Sequence, residues 1–380
     1  MSESSTEYDG RLTDVMNYPP SGEREGNDKN FEVIGIPAFV AEFNAKASVA
    51  QKRALMQTMY LLPSHFSDLL VNSLVKASKR GVEASIVTDG IVKISRARDK
   101  ATAAILGSNS TREFDVYATK KMDEKLKDSG VKVVESRPFT KLNLLLFAFK
   151  RNHFKMAVVD NTAWIGGLNA GKESDFNRID FMMRVTDQEL VDELASIIQA
   201  PEKINKDYSK TVGNVDLIVD GGVPGQSIIM EKVNQAIESI EHPEDAEITI
   251  LSPWVPDGKL LDVLHEAGLK GTKITVVTSY HPFEFAFEGV YALVKNYNIL
   301  MMNLKGKRLT TLYTPLEVHG KMLFIRDGSK KTAMITTHNF TDKGVKMGTA
   351  EIALMSQNET FADSCNTFIE KVKSVSKTTK

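Results

Sequence analysis

Residues 151–169 read RNHFKMAVVDNTAWIGGLN, and the interpretation of the whole chain grows from this stretch. His153 and Lys155 flank Phe154, and a short apolar run from Met156 to Val159 closes on Asp160. Side chains at i and i+2 of a strand project together, so an imidazole and an ammonium point into one space. Gly166 and Gly167 then permit a close backbone approach, and Asn169 follows. A single His-x-Lys is most simply a buried strand carrying two surface side chains. A second copy overturns that reading.

The copy, residues 317–339, reads EVHGKMLFIRDGSKKTAMITTHN. His319 and Lys321 flank one residue, an apolar run from Met322 to Ile325 follows, Asp327 closes it, and Asn339 stands after Thr336 and Thr337. Sixteen positions separate His153 from Asn169, and twenty separate His319 from Asn339. An acid lies beyond each asparagine, Asp180 eleven positions on and Glu351 twelve positions on. Only seven histidines occur in 380 residues, so two in matched settings are hard to ascribe to chance.

A chain of 380 residues exceeds the usual single core of about 250 to 300, which favours two domains or an internal duplication. Net charge is −1, so bulk electrostatics supply no attraction to nucleic acid, and a local patch would have to do so. The one cysteine, Cys365, excludes an internal disulfide framework and a multi-cysteine metal site and suits a reducing, cytoplasmic compartment. No segment approaches the roughly 20 apolar residues that span a bilayer, so no transmembrane segment is expected.

Residues 1–30 are polar and rich in Gly, Pro, Ser and acids, and read as a loosely ordered arm. Phe31 to Phe43 reads as strand, Gln51 to Met59 and Asp68 to Arg80 as helix, and Val82 to Asp89 as a parallel strand. The second half repeats this unit with Lys259 to Lys270 as helix and Lys273 to Ser279 as strand. Leu70, Leu74, Gly81 and Thr88 match Leu260, Leu264, Gly271 and Thr278, each pair 190 positions apart. A helix and then a strand are expected at Met122 to Val134 and at Tyr291 to Leu304, and a C-terminal helix at Phe361 to Val375. The resulting division is an arm at 1–30, a first α/β half at 31–210 and a second at 211–380, packed about a pseudo-two-fold axis.

Such a pair suits phosphodiester chemistry, which demands up to about 10¹⁷-fold acceleration. One histidine can attack phosphorus while the other protonates the leaving alcohol and later deprotonates the incoming one. Lys155, Lys321, Asn169 and Asn339 can hold the non-bridging oxygens, and Asp180 and Glu351 can fix the histidine tautomers. The scheme requires no metal and no cofactor.

The paired motifs resemble the H-x-K-x₄-D signature of the phospholipase D superfamily. RNHFKMAVVDNTAWIGGLN, with SPWVPDGKLLDVLHEAGLKG at 252–271, is most similar to its cardiolipin synthase branch. Membership implies two pseudo-symmetric α/β halves, each a mixed sheet flanked by helices, with the active site at their interface. It also implies His153 as nucleophile, His319 as general acid/base, and Asp160 and Asp327 as supporting acids. Three departures stand out: Arg326 holds the expected acid position so that the acid shifts to Asp327, Thr336 and Thr337 replace Gly-Ser, and Phe154 replaces Arg.

The function so implied is a phosphatidyltransferase or phospholipase that forms cardiolipin from phosphatidylglycerol at a membrane it meets peripherally. A nuclease of the same superfamily and a non-catalytic membrane-remodelling protein of the same fold are the rivals; the oligomeric state stays open. Lys305, Lys307 and Arg308 are candidate head-group contacts, and Phe283, Phe285, Phe287 and the run Leu142 to Phe149 candidate interface-inserting segments. His65, His242, His265, His281 and His338 show no partner pattern.

Overall fold

Runs that are apolar without a period of two become central strands covered on both faces, and here they build two mixed sheets with helices on either side. The computed structural model describes residues 15, 30–90, 121–138, 150–171, 178–279 and 309–378. In the first half β1 (Phe31–Gly35) runs into α1 (Ile36–Val49), whose first turn holds Pro37, a ring with φ preset for a helix start. β2 (Arg53–Thr58) and α2 (His65–Lys79) follow, the latter capped by the Ser64 hydroxyl accepting from Ser67 N–H. Gly81, at φ 85°, turns the chain into β3 (Glu83–Asp89). β4 (Lys132–Ser136), β5 (Met156–Val159), β6 (Thr162–Gly166), β7 (Phe181–Val185) and α3 (Gln188–Gln199) complete the half.

The second half starts with β8 (Tyr208–Val212), β9 (Val215–Asp220), α4 (Ile228–Glu238), β10 (Glu247–Leu251), α5 (Gly258–Lys270) and β11 (Lys273–Ser279). It continues with β12 (Leu309–Thr314), β13 (Met322–Asp327), β14 (Lys330–Thr336), α6 (Asp342–Met347), β15 (Glu351–Ser356), α7 (Glu359–Ser374) and β16 (Lys377–Thr378). The first sheet is ordered β1-β7-β6-β5-β2-β3-β4. The second, read from β9, is β9-β15-β14-β13-β10-β11-β12, with β8 and β16 added at its edges. In both, the first three strands of the βα repeat are parallel and the motif hairpin is antiparallel to them. The duplication is therefore one of complete sheets.

Alternation sorts the strand side chains between layers. Leu55, Val87, Met156 and Val158 join a cluster that also holds Leu190 and Leu194 of α3, Phe361 and Phe368 of α7, and Met322 and Ile335 of the other sheet. The same strands send Ala54, Met56, Ile86 and Ala157 to the opposite face, against α1 and α2. In the second half Ile248, Ile250, Ile274 and Leu323 pack likewise on α4 and α5. The layers thus run α1/α2, first sheet, α3 with α7, second sheet, α4/α5. The α7 helix binds the halves: Phe368 meets Phe181 edge-on at 5.3 Å and Phe361 meets Phe31 at 5.5 Å.

Two expected elements change type. Gln51 to Met59, expected as helix, forms β2, in which only Arg53 is not fully buried. Ala, Leu, Met and Gln favour helices, but a strand covered on both faces shows no amphipathic period, and parallel pairing with β3 overrides propensity. The strand expected over Phe31 to Phe43 stops at Gly35, and the rest is α1. Residues 121–127 are helical as expected. Val15, in the segment expected as a loose arm, is 2% exposed and belongs to the cluster between the sheets. The helix expected at Tyr291 to Leu304 lies outside the described residues.

The unequal His-to-Asn spacings have a simple origin. Four residue pairs join β5 to β6, from Met156 with Ile165 to Val159 with Thr162. Six join β13 to β14, from Met322 with Ile335 to Asp327 with Lys330. The second hairpin is longer at the end far from the histidines. The near end keeps its register.

Candidate active site

His153 and His319 sit just before the first residues of β5 and β13, where the halves meet. Isolated parallel bridges join Asn152 to Ala350 and Val318 to Ile179. Each bridge is the image of the other, as a two-fold axis between the halves requires. His153 N–H donates to Ala350 O and His319 N–H to Ile179 O, both at 2.9 Å. The histidine of one half is thereby fixed by backbone of the other.

The sequence places Arg151 and Asn152 ahead of the first histidine, and both shape its loop. Arg151 Nη1 donates to Asp89 Oδ1 at 3.0 Å and Asn152 N–H to Asp89 Oδ2 at 2.7 Å. The Asn152 side chain accepts from Phe154 N–H at 3.1 Å, closing a turn around His153. Asp89, which ends β3, is thus a site-building residue that no motif revealed; its position at a strand's carboxyl end was the only signal.

The carboxylates cross between halves. Asp180 of the first half lies 2.8 Å from His319 Nδ1, and Glu351 of the second lies 2.9 Å from His153 Nδ1. A carboxylate accepting from Nδ1–H selects the tautomer whose Nε2 lone pair is free to attack. Lys155 and Lys321 are fully buried, and each Nζ donates to the carbonyl of its own motif histidine, at 2.8 and 2.5 Å. Asn169 is 7% exposed and its Oδ1 has no hydrogen-bond partner among the described residues; Asn339 is half-buried. The sequence-predicted histidines, lysines and distal acids are brought together at this interface.

Burial and charge set the proton affinities. Burial pushes His153 down to about 4, opposed by Glu351, and holds His319 well below its usual value, aided by the charges of Lys321 and Arg178. Both rings are therefore neutral bases at pH 7. Burial works against the Glu351 charge, yet His153 beside it holds the carboxyl down to about 2, whereas burial raises Asp180 to about 6. Burial likewise lowers Lys155 well below its usual value, and lowers Lys321 to about 8 against the pull of Asp180 and Glu351. Lys321 is charged below pH 8 and loses its proton above it. Sulfate, whose own charge is constant there, should accordingly inhibit less as pH rises from 7 to 9.5, with the inhibition constant climbing up to about tenfold per unit. A constant unchanged across that range would remove Lys321 as an anion-binding cation.

The glycine pair has a steric reason. A Cβ on Gly167 would lie 2.0 Å from Asp180 Oδ1, and one on Gly166 2.1 Å from Phe181 O. Gly167→Ala should displace Asp180 from His319 and lower turnover by roughly a hundredfold, with circular dichroism unchanged. Near wild-type turnover in that variant would show that Asp180 does not need its place.

Asp160 and Asp327, the expected supporting acids, serve the opposite end of the sheets. Asp160 accepts from Gln51, Lys52 and Arg53 N–H at 2.9 to 3.0 Å, and Asp327 from Glu241 and His242 N–H at 2.8 and 3.1 Å. Seven positions of chain separate Asp160 from His153 and eight separate Asp327 from His319, roughly 20 to 25 Å when extended. They tether the loops that enter β2 and β10. Arg326, at the position the acid vacates, pairs with Glu247 at 2.7 Å. His338, without a pattern in sequence, accepts from Phe340 N–H at 2.9 Å and so holds the turn around Asn339, where Phe340 takes φ 56°.

The sequence model of the family described as cardiolipin synthase, PLD-like domain matches residues 45–200 and 236–373. The chain belongs to that family. It is an enzyme of the phospholipase D superfamily, a phosphatidyltransferase or phosphodiesterase. Its fold is similar to the crystal structure of phosphatidylserine synthase from Haemophilus influenzae Rd KW20, with TM-score 0.70 and 13% identity over 98% of this chain and 92% of that one. It is also similar to polyphosphate kinase from Porphyromonas gingivalis, with TM-score 0.54 and 14% identity over 87% of this chain and 48% of that one. At such identities the likeness is one of fold. No curated protein matches the chain in sequence. Among the described residues no helix is long and apolar enough to cross a membrane.

Proposed function

We propose that this phospholipase D superfamily enzyme is a phosphatidyltransferase that makes cardiolipin from phosphatidylglycerol through a covalent phosphatidyl-histidine. The observation that carries the reading is the convergence of two neutral histidines, each with its Nδ1 on a carboxylate of the opposite half, flanked by two buried lysines. In the first step His153 Nε2 attacks phosphorus of one phosphatidylglycerol. The P–O bond to the head-group glycerol breaks, and His319, which enters this step as the imidazolium because the anionic phosphodiester beside it raises its proton affinity, gives its Nε2 proton to the departing oxygen and is left neutral. In the second, His319 removes a proton from a hydroxyl of another phosphatidylglycerol. That oxygen forms the new P–O bond as the P–N bond breaks, releasing cardiolipin. Lys155, Lys321, Asn169 and Asn339 hold the non-bridging oxygens through both transfers. The order of the two histidines follows the superfamily resemblance.

An amphiphilic substrate requires contact with a lipid surface, so the reading includes peripheral membrane association. The candidate contacts Lys305, Lys307, Arg308, Phe283, Phe285, Phe287 and the run 142–149 lie outside the described residues. The deciding experiment incubates purified protein with phosphatidylglycerol vesicles, and separately with single-stranded DNA, and identifies products by mass spectrometry. Cardiolipin with one equivalent of glycerol is expected, and turnover should survive EDTA because the histidines act as free bases. Phosphatidic acid alone would make the enzyme a lipase, DNA cleavage without lipid turnover a nuclease, and no turnover of either substrate would favour a non-catalytic role.

A further inference from the structure

The two acid–histidine pairs are related by symmetry but are not built alike. Gly167 and Thr337 occupy equivalent places: Gly167 N–H donates to Phe181 O at 3.1 Å and Thr337 N–H to Ile352 O at 3.0 Å. Beside Gly167 stands Asp180; beside Thr337 stands Glu351, one methylene longer. The shorter acid occupies the space that a side chain at 167 would need. The longer acid leaves that space to the Thr337 side chain, whose hydroxyl enters the network.

That hydroxyl has a fixed polarity. It accepts from Ile352 N–H at 3.0 Å, and its single proton goes to Glu351 Oε2 at 2.5 Å in preference to Ile352 O at 3.4 Å. The same Oε2 faces His153 Nδ1 at 2.9 Å, and the Thr337 carbonyl faces that nitrogen at 3.0 Å. Thr337 therefore touches both partners of the pair. It lies 0% exposed, which makes direct contact with a lipid head group unsuitable as the reason for a threonine here.

We propose that Thr337 is a positioning residue for His153, and that Thr337 with Glu351 works as a unit equivalent to Gly167 with Asp180. The unit sets how strongly Glu351 holds the proton on His153 Nδ1. A hydroxyl donor stabilises the carboxylate charge and so weakens its pull on an imidazolium. Losing the donor makes Glu351 more basic and the charged form of His153 more favourable, and the protonation midpoint of His153 rises. The other groups facing His153 are Lys155, Lys321 and His319, which oppose its charge, and none of them is altered. His338, whose charge acts on Glu351, also stays in place.

This inference rests on the two-histidine reading of the site, but the state of the His153 ring can be followed without turnover. The experiment records ¹⁵N shifts of His153 against pH in wild type, Thr337→Val and Thr337→Ser, alongside hydrolysis of the chromogenic diester bis(p-nitrophenyl) phosphate. Valine should raise the midpoint by about half a unit or more and slow turnover by about tenfold, while serine should behave as wild type. Glu351→Asp alone should be the poorest variant, because the shorter acid falls short of His153, and Thr337→Gly combined with Glu351→Asp should recover about tenfold of the loss by rebuilding the first-half arrangement. A Thr337→Val midpoint equal to wild type, or a double variant no better than Glu351→Asp, would overturn the proposal. A shifted midpoint in a protein that cleaves no phosphodiester would leave the positioning role standing and sink the functional reading instead.

Discussion

His153→Ala and His319→Ala should each lose roughly four orders of magnitude in turnover, and the double variant should lose scarcely more. The near-equality of single and double losses is the specific expectation. One ring forms the bond to phosphorus and the other manages the proton on the oxygen that leaves or arrives, so neither step proceeds once either is gone. Two independent contributions of about 10² to 10⁴ each would instead multiply. Initial rates on phosphatidylglycerol vesicles, with melting curves as a check on folding, decide the matter. Turnover within threefold of wild type in either single variant would end the assignment.

Glu351→Gln and Asp180→Asn should each cost up to about 10⁴-fold in kcat, since an amide can present its NH₂ to Nδ1 and stabilise the wrong tautomer. The structure adds a crossed prediction. Glu351 belongs to the second half but contacts His153, and Asp180 belongs to the first but contacts His319. Ring ¹⁵N spectra of Glu351→Gln should therefore change at His153 and stay constant at His319, with the reverse for Asp180→Asn. A change confined to the histidine of the same half would contradict the geometry. Because each site is completed by the other half, neither half should carry residual activity alone.

The sequence was most legible where chemistry and symmetry coincided. His153, Lys155, Asn169 and their counterparts could be matched because a strand's period of two fixes which side chains share a face. The 190-residue register of Leu70, Leu74, Gly81 and Thr88 with their partners identified a duplicated βα unit, and α2, β3, α5 and β11 carry it. The same periodicity argument failed at Gln51 to Met59. A strand covered on both faces carries no amphipathic signal, and only pairing with β3 and β5 shows what it is. Asp160 and Asp327 support the structure rather than the chemistry. Their motif position is close in sequence to the histidines, but an extended strand carries them to the far end of the sheet.

By itself the sequence determined the chemistry class, the duplication and the residues that would meet, because each is written in local spacing. The tertiary structure alone decided which acid serves which histidine. Asp180 and Glu351 lie at nearly equal distances beyond their own asparagines, and that spacing leaves open which histidine each acid serves. The chains Asn152 with Ala350 and Ile179 with Val318 pair across the two-fold interface, and this brings each carboxylate to the opposite ring. The structure also decided what Thr337 does. In sequence Thr337 is only a departure at the serine position of the resembled motif, but the methylene that distinguishes Glu351 from Asp180 makes room for its side chain, and its hydroxyl completes the hydrogen-bond chain to His153.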